Sequence, residues 1–159
     1  MRILVASDTH GRCDALRRAL EQQPQARHIV FLGDCLRDAQ AVSPDFDDRQ
    51  WHLVRGNNDW WSGQDSAPDA DLLCVNGCRL FLTHGHLYRV KWGLEDAMQA
   101  ARERQAQVLL FGHTHVPLVD YQDGLHLLNP GSLGAGRGTY GVVDLTPAGI
   151  AAHIVEVDA

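Results

Sequence analysis

The sequence predicts an α/β protein in which two mixed β-sheets pack face to face as a sandwich flanked by helices. Three observations predict it. The first half of the 159-residue chain alternates apolar runs with an amphipathic stretch, in the manner of β-α-β units. The second half is richer in hairpins. Five apolar runs each end in a small polar cluster, which sets one end of several strands apart from the other. Sheets of this kind bury one face against each other and leave the outer faces to helices.

Taken in order, residues 2–7 form a short apolar run that ends at Asp8-Thr9-His10. Cys13, Leu16, Ala19 and Leu20 recur at a helical period over 12–23, and Pro24 closes that element. His28 to Leu32 is a second strand, ending at Gly33-Asp34. An Asp-rich polar segment follows around Ser43-Pro44-Asp45. Gln50 to Val54 is a third, weaker strand, ending at Gly56-Asn57-Asn58-Asp59, and 60–70 read as loop. Leu72 to Val75 and Arg79 to Thr83 flank Asn76-Gly77, a strong two-residue hairpin signal. That hairpin ends at His84-Gly85-His86. A helix is expected from Val90 to Gln105, with Val90, Leu94, Ala97, Met98 and Ala101 on one stripe. Val108 to Phe111 leads into Gly112-His113-Thr114-His115. Val116 to Tyr121 and Leu125 to Leu128 flank an Asp123-Gly124 turn, and Tyr140 to Leu145 and Ile150 to Val157 make a closing hairpin. No repeat or low-complexity linker divides the chain, so residues 1–159 are expected to form a single domain.

Composition narrows the function classes. Hydrophobic residues make up 45% and charged residues 21%, which is ordinary for a globular chain that can build its own core. No apolar run approaches the ~20 residues needed to span a bilayer. The N-terminus runs directly into Ser7-Asp8 and reads as a strand rather than a signal peptide. The expectation is a cytoplasmic protein without a membrane partner. Net charge is −6 and no basic stripe is present, which argues against a grip on long nucleic acid. Cys13, Cys35, Cys74 and Cys78 fit no zinc spacing. The Asn76-Gly77 turn pairs Val75 with Cys78 and turns Cys74 to the other face, which disfavours a disulfide and suits reduced thiols.

The chemistry lies at the strand ends. Asp8, His10, Asp34, Asn57, His84, His113 and His115 each follow an apolar run. Taken singly, each has an ordinary explanation as a cap, a turn or a lone polar residue. Taken together, at the same end of five strands, they form a mixed nitrogen and oxygen donor set without thiolate. Such a set suits divalent manganese, iron, zinc, cobalt or nickel. It holds too many donors for one tetrahedral ion and about the right number for two ions sharing a carboxylate.

Asp8-x-His10, Gly33-Asp34, Gly56-Asn57-x-Asp59, His84 beside Gly85, and Gly112-His113-x-His115 match, in order, the motif series of the calcineurin-like metallophosphoesterases. The chain resembles that family from Asp8 to His115. Asn129-Pro130-Gly131-Ser132 further resembles its small bacterial and archaeal phosphodiesterase branch. The resemblance implies that Asp8, His10, Asp34 and His115 hold a first ion. It implies that Asp34, Asn57, His84 and His113 hold a second, with Asp34 as the bridge. The implied activity is hydrolysis of a small phosphate diester by a hydroxide held between the two ions, manganese being the expected metal. Two divalent ions, two carboxylates and one hydroxide leave about one positive charge, which suits a phosphate substrate despite the acidic whole.

One position departs from the family pattern. Larger members carry a histidine after the asparagine, where it can protonate or stabilise the leaving group; this chain has Asn58. An amide donates a hydrogen bond but does not act as a general acid near pH 7. Asp59 ordinarily orients that histidine, and His86 is the nearest replacement donor by sequence. Asn58, Asp59 and His86 are therefore the candidate catalytic residues. Arg137, after the Gly134-Ala135-Gly136 loop, and Ser132 are candidate substrate-binding residues. Trp60 and Trp61 are candidates for stacking on an aryl group or for a homo-oligomer contact. His28, His52, His126 and His153 have no ligand spacing and are expected to be structural. The alternative from another class is a protein-interaction scaffold of the same fold, whose mark would be eroded ligands; none is eroded here.

Overall fold

The structure is a computed structural model that describes residues 1–59 and 67–157. Trp60 and Trp61 lie outside the described residues. The elements run β1 (Arg2–Ala6), α1 (Cys13–Gln22), β2 (Ala26–Phe31), α2 (Leu36–Val42), β3 (Gln50–Leu53), β4 (Ala70–Val75), β5 (Cys78–Thr83), α3 (Glu95–Glu103), β6 (Val108–Leu110), β7 (Leu118–Gln122), β8 (Leu125–Asn129), β9 (Thr139–Thr146) and β10 (Gly149–Glu156).

These strands make two mixed five-stranded sheets, with orders β10-β9-β1-β2-β3 and β4-β5-β6-β8-β7. In the first, β1 and β2 and then β2 and β3 are parallel, and the β9-β10 hairpin adds antiparallel to β1. In the second, β5, β6 and β8 are parallel, and hairpin partners close both edges. The predicted face-to-face sandwich is therefore what forms.

The period of two along each strand sorts side chains into layers. Ile3, Val5, Val30 and Leu32 of one sheet meet Leu80, Leu82, Val108 and Leu110 of the other in the central core. Leu4, Ala6, Ile29 and Phe31 point the opposite way, onto Leu16 and Leu20 of α1 and Leu36 of α2. Phe81, Leu109 and Leu127 point outward under Ala97 and Ala101 of α3. Each buried strand is thus apolar on both faces, which explains why β1, β2 and β6 read as continuous apolar runs.

Three expectations shift. The Asp-rich segment after Asp34 contains α2, which the helical period did not reveal because Arg37, Asp38 and Gln40 interrupt it. The helix expected over 90–105 is confined to Glu95–Glu103. Arg89 takes a left-handed conformation ahead of Gly93, so Val90 reaches the same core cluster from a turn. Strand β7 starts at Leu118 and not Val116 because Pro117 has no N–H to give a ladder. The hairpin register falls as the turn chemistry dictates: Val75 faces Cys78 and Cys74 faces Arg79. Cys74 is exposed, Cys78 is buried, and both are free. No helix among the described residues is long and apolar enough to cross a membrane.

Candidate metal centre

Parallel strands β1, β2, β5 and β6 all deliver their C-terminal loops to one rim. The loops are tied to one another by backbone bonds. The Asp8 N–H donates to Gly33 O at 3.0 Å and the Gly112 N–H donates to His84 O at 3.0 Å. Gly33 and Gly56 let the second and third loops cross in contact. A Cβ on Gly33 would strike the Gly56 backbone, and one on Gly56 would strike Asp34. That close approach is the physical reason for the Gly-Asp and Gly-Asn pairs.

Two donor groups form at the rim, each with its ligand atoms mutually within 4.8 Å. One is Asp8, His10 and His115; the other is Asp8, Asp34 and His84. Asp8 Oδ1 lies 3.0 Å from His115 Nε2 and 3.8 Å from His10 Nε2, and those two ring nitrogens are 3.4 Å apart. His84 Nε2 lies 3.6 Å from Asp34 Oδ2, 3.0 Å from Asn57 Oδ1 and 3.2 Å from His113 Nδ1. All seven sequence-predicted donors are therefore brought together. The carboxylate common to both groups is Asp8, whereas the resemblance implied Asp34 as the bridge. Asp34 is held beside it by Asn58, whose backbone and side-chain N–H groups donate at 3.0 and 2.8 Å.

The charge balance favours a cation. Asp8 and Asp34 are both buried, yet none of their partners among the described residues is a lysine or arginine. Buried carboxylates without a compensating charge are costly. Burial pushes Asp34 up, but the His84 imidazole and the Asn58 hydrogen bonds outweigh it and hold the carboxyl below its usual range. Burial, His84 and Lys91 bring His113 down to about 4, so its ring is neutral near pH 7 and has a lone pair to give. His84 Nδ1 lies 2.7 Å from Leu32 O, and that contact places the proton there and leaves Nε2 as the donor atom. The donor chemistry fits divalent transition metals.

Side chains behind the rim hold this arrangement. Asp59 is buried, and its carboxylate accepts from the N–H groups of Asp34 (2.9 Å), Leu36 (2.9 Å) and Gly56 (2.7 Å). It is a strut beneath the donors. Ser132 is likewise buried; it donates to Asp8 O at 2.7 Å and accepts from the Gly134 N–H at 3.1 Å. Its hydroxyl is used by the loops. Arg137 is exposed and lies 3.5 Å from Glu156 of β10, so it is turned to that acid rather than into the cluster. His86 does sit beside the donors, its ring centroid 5.4 Å from that of His84 and 6.1 Å from that of His113. Its buried Nδ1 has no hydrogen-bond partner among the described residues.

Two further supports were not among the expected site residues: Asp38 carried no signal in the sequence, and Asn129 was visible only as part of the Asn129-Pro130-Gly131-Ser132 motif. Asp38 of α2 is buried and accepts from Thr9 Oγ1 (2.7 Å) and the Gly11 N–H (2.8 Å), which fixes the loop on either side of His10. Asn129 donates to Gly112 O and Thr114 Oγ1, both at 3.0 Å, and so braces the histidine pair. An acid inside a short helix looks like a solvated residue until the loop it meets is known.

The comparisons with known proteins agree with this arrangement. The model of the calcineurin-like phosphoesterase superfamily domain matches residues 1–147. Phosphodiesterase YfcE of Escherichia coli is 33% identical over 169 aligned residues, covering 91% of this chain and 88% of its own. A crystal structure of a predicted phosphoesterase from Streptococcus pneumoniae superimposes with a TM-score of 0.80 at 24% identity, covering 99% and 90% of the two chains. Vps29 of Entamoeba histolytica shares the fold with a TM-score of 0.77 at 17% identity, covering 98% and 99%. With five motif segments meeting at one rim and a family match over nearly its whole length, the chain belongs to the calcineurin-like phosphoesterase superfamily.

Proposed function

We propose that this protein is a phosphodiesterase that hydrolyses small phosphate diesters with two divalent transition-metal ions, manganese being favoured and nickel, zinc, iron and cobalt suiting the same donors. The observation that supports this reading is the meeting of two donor groups through Asp8 at the rim. Two ions bound there supply Lewis acidity toward phosphoryl oxygens and lower the pKa of water near them. The chain's own part is to fix geometry. Asp8, His10, Asp34 and His115 would hold one ion, and Asp34, Asn57, His84 and His113 would hold the other. Asn58 holds the Asp34 carboxylate and offers no acid proton. His86 is the imidazole next to the donors and is the candidate partner for the leaving oxygen. The reading includes a single domain over 1–159 acting in the cytoplasm on a small substrate, without a membrane or long nucleic acid.

The test is metal analysis of protein purified without chelator, followed by a panel of mono- and diesters with manganese, nickel or zinc added. The expected result is metal-dependent cleavage of aryl diesters, with alkyl monoesters slower because no strong acid protonates a basic leaving group. Asn58→His is expected to narrow that gap. Asp34→Ala is expected to lose metal and turnover together. Comparable turnover of an alkyl monoester and an aryl diester would sink the leaving-group argument. Stoichiometric metal with no hydrolysis of any ester would favour the scaffold reading.

A further inference from the structure

The inward face of β1 ends on a hydroxyl. Ile3 and Val5 point into the central core, and the period of two places Ser7 next on that face, just past the strand. Ser7 is fully buried, where the pattern would otherwise place another aliphatic side chain. Opposite it, on the loop that leaves β6, stands Gly112. A Cβ on Gly112 would lie 2.3 Å from Ser7 Oγ and 3.1 Å from Asp8 Oδ2. Gly112 is not among the left-handed glycines, so it is required here for space rather than for conformation.

The hydroxyl serves Asp8. Ser7 Oγ donates to Asp8 Oδ2, and the His113 N–H reaches the same oxygen at 3.3 Å. The other acceptor near Ser7, Gly33 O, is 3.5 Å away and already accepts the Asp8 N–H at 3.0 Å. A hydroxyl has one proton to give, and a carboxylate is the stronger acceptor. Among the described residues, Ser7 is the one side chain that donates to Asp8 Oδ2. The other oxygen, Oδ1, lies 3.0 Å from His115 Nε2 and 3.8 Å from His10 Nε2. Asp8 therefore has two unlike oxygens, one tied to the protein and one turned to the His10–His115 side. A carboxylate without such a tie swings about a broad terminal torsion and can offer either oxygen or both.

We propose that Ser7 is a positioning residue for the metal centre: its hydroxyl holds Asp8 Oδ2, so that Oδ1 is the single oxygen presented on the side of His10 and His115. The inference rests on the divalent-metal reading of the centre and not on which ester is cleaved. Gly112 is the counterpart of Ser7 on the other sheet, because its missing Cβ leaves the room that the hydroxyl occupies.

The test is metal binding. Wild type, Ser7→Ala, Ser7→Thr, Gly112→Ala and the double variant of Ser7→Ala with Gly112→Ala are stripped of metal and titrated with cobalt and with zinc against a chelating dye. Urea midpoints are taken without metal. Ser7→Ala is expected to bind each metal about 10- to 100-fold more weakly, the usual loss when a group that orients a ligand is removed. Its cobalt form should absorb less in the visible, since a second carboxylate oxygen raises the coordination number and weakens the d–d bands. Ser7→Thr keeps the donor and should stay near wild type. Gly112→Ala should copy Ser7→Ala, because the added carbon displaces the hydroxyl. The double variant should be no weaker than Gly112→Ala alone, as two routes to one lost bond do not add. Wild-type affinity in Ser7→Ala overturns the proposal. An unchanged cobalt spectrum with a lowered urea midpoint also overturns it and makes Ser7 a packing residue. If Ser7→Ala does not fold, Gly112→Ala gives the same decision. If wild type binds neither metal, the metal reading falls and the role of Ser7 with it. If wild type binds metal, Ser7→Ala binds it weakly and neither cleaves an ester, the role of Ser7 stands and the phosphodiesterase reading falls.

Discussion

Replacing Asp59 probes the support beneath the metal centre. The residue is 1% exposed, and three backbone N–H groups converge on its two oxygens. A hydrogen bond to a charged acceptor contributes about 1.5–3 kcal/mol, and neighbouring bonds in one network do not add in full. Asp59→Ala strands the donors of Asp34, Leu36 and Gly56 in a buried site, so the expected loss is about 4 kcal/mol. Asp59→Asn is the informative companion. The N–H groups of Asp34 and Gly56 both reach Oδ2, so an amide with its oxygen there keeps two of the three bonds. Its loss should be near half, about 2 kcal/mol. Urea unfolding of the metal-free protein, followed by circular dichroism, reads both. With a slope of about 2 kcal/mol per molar, the alanine midpoint falls by about 2 M and the asparagine midpoint by about 1 M. An alanine midpoint within about 0.5 M of wild type would refute the strut and return Asp59 to a role in proton transfer.

Ser132→Ala should cost about 1–2 kcal/mol of stability, since it leaves Asp8 O and the Gly134 N–H without their partner; KM on a diester should stay within about twofold, and a large rise in KM would restore Ser132 to the substrate. His28 and His52 lie on β2 and β3 with ring nitrogens 3.0 Å apart, and burial pushes both below the usual 6.5. The depressed value means the folded state resists protonation, so stability is highest above the unfolded value of 6.5 and falls as pH drops below it. His52→Gln should flatten that slope in urea unfolding between about pH 7 and pH 5; an unchanged slope would show that these rings do not supply it.

How much of this was legible depends on the range of the signal. The five strand ends were readable because each couples an apolar run to a polar stop, and local periodicity carries that information. The Cys74–Cys78 geometry was readable because Asn76-Gly77 dictates register on its own. Helix α2 was not, because Asp38 sits where a solvated residue belongs and its buried carboxylate meets Thr9 and Gly11, far away in sequence. The contacts of Ser132 and Arg137 were not legible for the same reason. Their chemistry suggested phosphate, but the path of the 129–139 loop decides that Ser132 points under Asp8 and that Arg137 meets Glu156. Composition names what a side chain can do, and tertiary contacts decide which of those things it does.

The backbone conformation gives that distinction a physical basis. Asp8, His10, Asp34, His113 and His115 all have positive φ, between 46° and 68°. A non-glycine residue in that region costs about 1 kcal/mol. Such residues persist only where surrounding contacts fix them, and they gather where function needs an unusual direction. Here the fixing contacts are ones whose partners the sequence did not show: Asp38 on the His10 loop, Asp59 on the Asp34 loop and Asn129 on the histidine pair. An extended continuation of β1 or β6 would send alternate side chains to opposite faces of the sheet. The left-handed residues instead curl each loop over the rim, so His113 and His115 divide between the His84 and Asp8 sides of one cluster. The donors are therefore legible as residue types at strand ends, while the cost of aiming them is met by buried acids and amides whose partners lie elsewhere in the chain.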